Sequence, residues 1–300
     1  MKNLRRIPVP GTGPEDVLLD QEGSIFTGLK DNGTILRLDS KSGRFKEISK
    51  PGGSPLGLEW LPDGRILVCN AAFGLQAIDV STGQCESLDV KGVEFTVCNN
   101  AHVIVDGSIF VSDSSLKYSI DQYSRDIIEN SASGRLIKIS ANSEAHVVLS
   151  GLSFANGVAV LPDNSAILVA ETAQARIKKV MMDGSGVTTF AETPGLPDNI
   201  SVGSDGKIWV AIPSLLNETL AKIHAAPLIF RRVVASLPKC LQPKASLCCR
   251  VAVYHRDGTL ERIYDGDTSV FNWVTGVRES NKTVFLGSIS HGYIGAFDVC

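Results

Sequence analysis

No stretch of this 300-residue chain approaches the roughly eighteen consecutive apolar residues of a membrane-spanning helix. The basic start MKNLRRIPVPG is not followed by the apolar segment of a secretory signal, so the expectation is a cytoplasmic protein without a membrane partner. Neither sign of charge dominates. Lys plus Arg number 29 against 32 Asp plus Glu, and the formal net charge of −3 offers nothing to attract nucleic acid. The seven cysteines include no CxxC pair, which excludes a zinc site of that spacing. They read as buried or free thiols, with a disulfide among Cys240, Cys248 and Cys249 as the alternative. A GxSxG nucleophile motif is also missing, so no serine-hydrolase elbow announces itself.

What the sequence does contain is one turn pattern repeated from end to end. GPEDVLLDQEGSIFTG, SPLGLEWLPDGRILVC, TVCNNAHVIVDGSIFVS, FANGVAVLPDNSAILVA, LPDNISVGSDGKIWVA and FNWVTGVRESNKTVFLG each run alternating apolar and polar residues into a Gly, Asn or Asp turn. Period-two patterning on both sides of such a turn is the hairpin signature. Two further strand-like runs usually follow, as in GTILRLD before KSGRFKEIS. Four short strands per repeat make a propeller blade, so the prediction is an all-β, six-bladed β-propeller forming a single domain over 1–300. NLRRIPVP is expected to supply the outer strand that the last repeat lacks, closing the ring and removing two exposed sheet edges. The GH and WD marks of one propeller class are absent, so architecture alone does not give function.

Eight residues before the turn positions Gly23, Gly107, Asn164 and Gly206 stand Glu15, Asn99, Asn156 and Asp198. Repeats related by rotation bring equivalent positions together at the axis. Two carboxylates and two carboxamides should therefore meet at one mouth of the central channel. That donor set suits a hard divalent cation, and calcium tolerates an irregular oxygen cage better than magnesium. Four protein ligands leave places for water and substrate, as a catalytic ion requires. Local turn bonding is the competing explanation for any one of these residues, but it does not explain four in register. Asn199 and Asp16, the neighbours of Asp198 and Glu15, are candidates for outer ligands or for a second ion.

Leu56 holds the corresponding place in the second repeat and is read as substrate-facing, with a core-filling role as the equal alternative. Asp113 and Glu171 begin loops expected at the same mouth, and His291 follows the last repeat's second strand; all three are candidate substrate contacts, as is Thr275. Two insertions interrupt the spacing, near 114–133 and 213–248, and both follow second strands, so both should roof the site. In the second, ETLAKIHAAPLIFRRVVASLP has apolar residues at helical spacing around Pro227, giving one broken helix or two short ones. Such a lid favours a small-molecule substrate that is partly hydrophobic.

GPEDV, the CNN before VDGSIFVSDSS, FANGVAVLPD followed by AET and RI, and LPDNISV followed by DGKIWVA resemble the strictosidine-synthase-like and senescence-marker/gluconolactonase superfamily of six-bladed propellers. Paraoxonases and the organophosphate-cleaving diisopropyl-fluorophosphatase are more distant members. The resemblance implies calcium at the channel mouth, on Glu15, Asn99, Asn156 and Asp198, with Asn199 as a further ligand. The histidine pair of paraoxonases is absent, its places falling at Leu56 and Ala71. The sixth-blade glutamate of strictosidine synthase is replaced near Thr275. The expected function is a calcium-dependent hydrolase of a lactone or related ester with Asp198 as general base. A lyase or cyclase acting on a natural product, and a non-catalytic binding propeller, are the alternatives.

Overall fold

A computed structural model describes residues 1–299; Cys300 lies outside the described residues. Six antiparallel four-stranded sheets are arranged as the blades of a propeller. Blade one is Leu18–Leu19, Ser24–Leu29, Thr34–Asp39 and Phe45–Ser49, and the next four repeat that inner-to-outer order. Blade six is built differently. Its strands Val274–Ser280, Thr283–Ser288 and Tyr293–Asp298 are completed by Arg5–Pro8 from the other end of the chain, with Arg5 opposite Ala296.

The repeated turn is fixed by backbone conformation. Gly23, Gly64, Gly107 and Gly206 hold φ between 72° and 85°, a region costly for residues with a Cβ, and Asn164 adopts φ 55° in their place. The preceding aspartate accepts the amide two residues on, as in Arg65 N to Asp63 Oδ1 at 3.1 Å, which is why the pair recurs. Alternate residues of each blade bury against the next blade. Leu18, Phe26 and Ile35 of blade one, for example, pack on Leu58, Ile66, Val68 and Ile78 of blade two.

The two insertions stand where second strands end. Segment 114–133 carries helix α1, Tyr123–Glu129, stopped by Asn130 in the left-handed conformation at φ 55°. The second insertion is shorter than the sequence pattern implied, because the flanking strands Ile208–Leu215 and Ser246–Tyr254 extend into it and leave 216–245 outside the sheet. It forms two helices, α2 (Glu218–Ala225) and α3 (Leu228–Ser236). Asn217 caps α2 by accepting Leu220 N at 2.8 Å, and Pro227 separates the two because it cannot donate into a continuing helix. α1 packs on both, and buried Glu129 ties the insertions together. It accepts from Lys117, from Tyr118 Oη at 2.5 Å and from Arg232 Nε at 3.3 Å.

All six described cysteines are free, Cys248 and Cys249 among them, so the disulfide alternative is not realised there. None of the described helices is long and apolar enough to cross a membrane.

Candidate functional site

A local irregularity lifts the key side chains out of the sheets. The inner strands of blades two, three, four and six each break register with their neighbour, between Pro55 and Leu58, Cys98 and Ala101, Ala155 and Val158, and Val274 and Val277. The first of the two residues inside each bulge is, respectively, Leu56, Asn99, Asn156 and Thr275. A bulge re-aims side chains that a regular ladder would hold on the blade face. In blades one and five, Glu15 and Asp198 precede the regular strand. All six residues line one cavity of about 480 Å³ under the roof of the insertions.

Within it, Asn99 Nδ2 donates to Ser114 Oγ at 2.9 Å and Asn156 Nδ2 to Thr172 Oγ1 at 3.3 Å. Holding the nitrogens turns the carbonyl oxygens inward. The Oδ1 atoms of Asn99, Asn156 and Asn199 are buried and have no hydrogen-bond partner among the described residues. Leaving a buried acceptor unpaired costs roughly 1–3 kcal/mol, so three together mark a place shaped for something else. Beside them Glu15 is 3% exposed and Asp198 9%. Burial and the charges of Asp198 and Asp16 raise the Glu15 carboxyl well above its ordinary range, and burial first of all pushes Asp198 up to about 8. Two buried carboxyl groups without an ion-pair partner among the described residues, set beside orphaned carbonyl oxygens, fit an oxygen-seeking divalent cation.

Asn199 also donates from Nδ2 to both Glu15 oxygens, at 3.3 and 3.4 Å. Asp16 turns the other way. Its Oδ1 accepts Val17 N and its Oδ2 accepts Leu58 N, and Arg278 supplies the positive charge near it, so both oxygens are engaged by backbone amides. Arg278 reaches from blade six to the carbonyl oxygens of Val17 and Leu58 at 3.1 and 3.2 Å, bridging three inner strands across the channel.

Three of the candidate substrate contacts are placed elsewhere. Asp113 accepts Val97 N at 2.7 Å and pairs with Arg135; Glu171 accepts Ser153 N at 3.1 Å and pairs with Arg176. Each anchors the segment leading into its own blade's inner strand, a task Asn70 performs in blade two by accepting Ser54 N at 3.1 Å. His291 stacks on Tyr293, lies tilted against Phe271 and accepts Asn272 N at 3.0 Å, outside the cavity lining. Thr275 does reach the cavity, but its hydroxyl donates to the Glu15 carbonyl oxygen at 2.7 Å.

Sequence reasoning did not single out Tyr123, Phe154, Trp273 or Lys30, which also line the cavity. Tyr123 comes from α1, and its hydroxyl is raised by burial and by the charge of Asp198. Phe154 and Trp273 stand two residues before Asn156 and Thr275 with left-handed φ of 62° and 51°. Bulky residues rarely hold that conformation, and such strain gathers at functional sites. The one available signal was Gly13, at the equivalent place in blade one, also left-handed at φ 76°.

A family profile described as strictosidine synthase matches residues 99–185, and one described as strictosidine synthase-like, N-terminal, matches residues 1–38. Among curated proteins, strictosidine synthase-like 6 of Arabidopsis thaliana is 30% identical over 95% of this chain and 79% of its own length. The adipocyte plasma membrane-associated protein of Rattus norvegicus is also 30% identical, over 94% of this chain and 82% of its own. Among solved structures, a Xanthomonas campestris protein described as a gluconolactonase superposes with a TM-score of 0.72 at 15% identity, covering 99% of this chain and 89% of that one. An Agrobacterium tumefaciens protein described as the calcium-binding regucalcin gives 0.67 at 15%, covering 97% and 92%. At that identity these two share the fold alone. The likeness to the plant relative along nearly the whole sequence, with both profiles matched, leads to the conclusion that the chain belongs to the strictosidine synthase-like family.

Proposed function

We propose that the chain is a calcium-dependent hydrolase of a lactone or related ester. The observation that carries this reading is the set of buried, unpartnered Oδ1 atoms of Asn99 and Asn156, which line the cavity, and of Asn199, beside the buried carboxylates of Glu15 and Asp198. Glu15, Asn99, Asn156 and Asp198 would hold the ion, with Asn199 as a further donor. Bound there, calcium supplies electrophilic polarisation of a carbonyl oxygen and compensates the two carboxylates. The Xanthomonas neighbour's description as a gluconolactonase and the Agrobacterium neighbour's as calcium-binding agree with this reading.

The protein's own groups do the rest. Asp198 takes the proton from the attacking water as general base. Tyr123 of α1, whose hydroxyl feels the charge of Asp198, closes the roof side. The apolar walls from Leu56, Phe154 and Trp273 hold the body of the substrate, and the two insertions exclude bulk water.

Membership of the strictosidine synthase-like family supports a second reading, a lyase or cyclase acting on a natural product. The sixth-blade position counts against condensation of the strictosidine type, since Thr275 carries no carboxylate and its hydroxyl is engaged by a backbone carbonyl. A panel of lactones and aryl esters, assayed with calcium and after chelation, tests the choice. Chelator-sensitive hydrolysis with the fold intact is expected. Amine–aldehyde condensation without hydrolysis would favour the second reading, and unfolding on chelation without any turnover would leave a binding propeller.

A further inference from the structure

The cations around the roof fall into two groups. Lys117, Arg231 and Arg232 are engaged by Glu129, its backbone carbonyl or that of Asn130, and Lys222 pairs with Glu218. Lys30, Lys239 and Lys244 have no carboxylate partner among the described residues, and all three line the cavity. They come from different places. Lys30 follows the second strand of blade one, close enough to Glu15 for its charge to favour the ionised carboxylate. Lys239 and Lys244 follow α3, on the return path of the blade-five insertion.

Among the described residues, the carboxylates lining the cavity are Glu15 and Asp198. A divalent cation held by that pair cancels their charge, which leaves three ammonium groups facing the same space. Apolar side chains make up most of the remaining lining, including Ile128, Phe154, Leu196, Leu220 and Trp273. Lys30 is half-buried and Lys239 and Lys244 are exposed at the mouth; like charges gathered there repel each other, and an anion relieves that repulsion while an apolar body fills the walls.

We propose that the cavity takes an amphiphilic organic anion, with its carboxylate or comparable head against Lys30, Lys239 and Lys244 and its hydrocarbon body under α1 and α2. This rests on the hydrolase reading only for what is then done to the substrate; occupancy is a separate property.

The test measures binding, not turnover. Decanoate and decanol are titrated into the calcium-loaded protein by calorimetry, alongside Lys30→Gln and the triple variant in which Lys30, Lys239 and Lys244 all become Gln. Decanoate is expected to bind at least about tenfold more tightly than decanol, each lysine contributing up to about fivefold, with the preference falling as salt rises. The triple variant should bind the two alike while keeping its affinity for decanol, which also reports that the cavity is intact. Equal binding of both probes by the parent protein would overturn the proposal. So would a decanoate preference that survives the triple variant, since the head group would then sit on the metal. If the decanoate preference disappears with the lysines but no ester is hydrolysed, the anion site stands and the reaction assignment falls.

Discussion

Asn99 Nδ2 donates to Ser114 Oγ across the mouth of blade three at 2.9 Å, and this bond decides which end of the amide faces the channel. Asn156 and Thr172 repeat the relation in blade four at 3.3 Å. Thr172 Oγ1 in turn donates to the Pro197 carbonyl, immediately before Asp198. Groups that orient a ligand typically alter metal affinity about 10–100-fold when removed. Ser114→Ala and Thr172→Val should therefore weaken calcium binding by about that factor with the circular dichroism spectrum unchanged, as followed by a calcium-indicator competition assay.

Replacing Asp198 by Asn removes the proposed base and keeps an oxygen in place. Turnover of the best ester should fall by about 10²–10⁴-fold, a range usual for a positioned acid or base, while calcium still binds. Parent-level hydrolysis by this variant would end the role given to Asp198.

The metal-free protein should have an inverted pH response. Asp198 is raised by burial from 3.8 to about 8, and Glu15 is raised as well, so the folded state holds protons that the unfolded chain releases. A raised carboxyl favours the fold at low pH, and that contribution disappears as pH climbs through the folded value. Chelated protein should therefore melt higher at about pH 5 than at about pH 8, and saturating calcium should abolish or reverse the difference. In Asp198→Asn the slope should flatten; a chelated parent that is more stable at the alkaline end would contradict the assignment.

Close approach between blades gives a fourth test. A Cβ on Gly157 would lie 2.4 Å from Ile200 N and 2.6 Å from the Asn199 Cα, both backbone atoms of the next inner strand. Gly157→Ala should destabilise the protein by about 1–3 kcal/mol, as overpacking does, and should lower calcium affinity because Asn199 and Asp198 must shift. Differential scanning calorimetry and the same calcium titration would check both.

Much of the fold was legible because one turn, repeated six times, states both the hairpins and their count. The spacing back from that turn also reached Glu15, Asn99, Asn156 and Asp198, which share a cavity. What it could not state was contact between neighbouring blades. The residues after the six lining positions are Asp16, Gly57, Asn100, Gly157, Asn199 and Gly276, an alternation of side-chain donors or acceptors with glycine. Asp16 accepts Leu58 N and Asn100 accepts Val158 N at 2.9 Å, each reaching over the glycine of the next blade. That threefold pattern was visible in the letters, but its meaning depends on which strands lie side by side. Asp113, Glu171 and His291 were misplaced for a related reason. Topology put them near the mouth, but each was claimed by a backbone amide of its own blade, and the first two by an arginine of the adjoining strand.

The pairing of Arg5–Pro8 with Tyr293–Asp298 also governs when the molecule can be finished. Among the described strands Arg5–Pro8 comes first in sequence, yet it pairs with the one that comes last. Until Tyr293–Asp298 has been made, Arg5–Pro8 is an unmatched strand able to pair with a neighbouring nascent chain. Contacts this remote in sequence form slowly, and unpaired edges are where association begins. The propeller thus passes through an interval, spanning the synthesis of the intervening blades, in which this strand has no partner and association with another chain competes with closure.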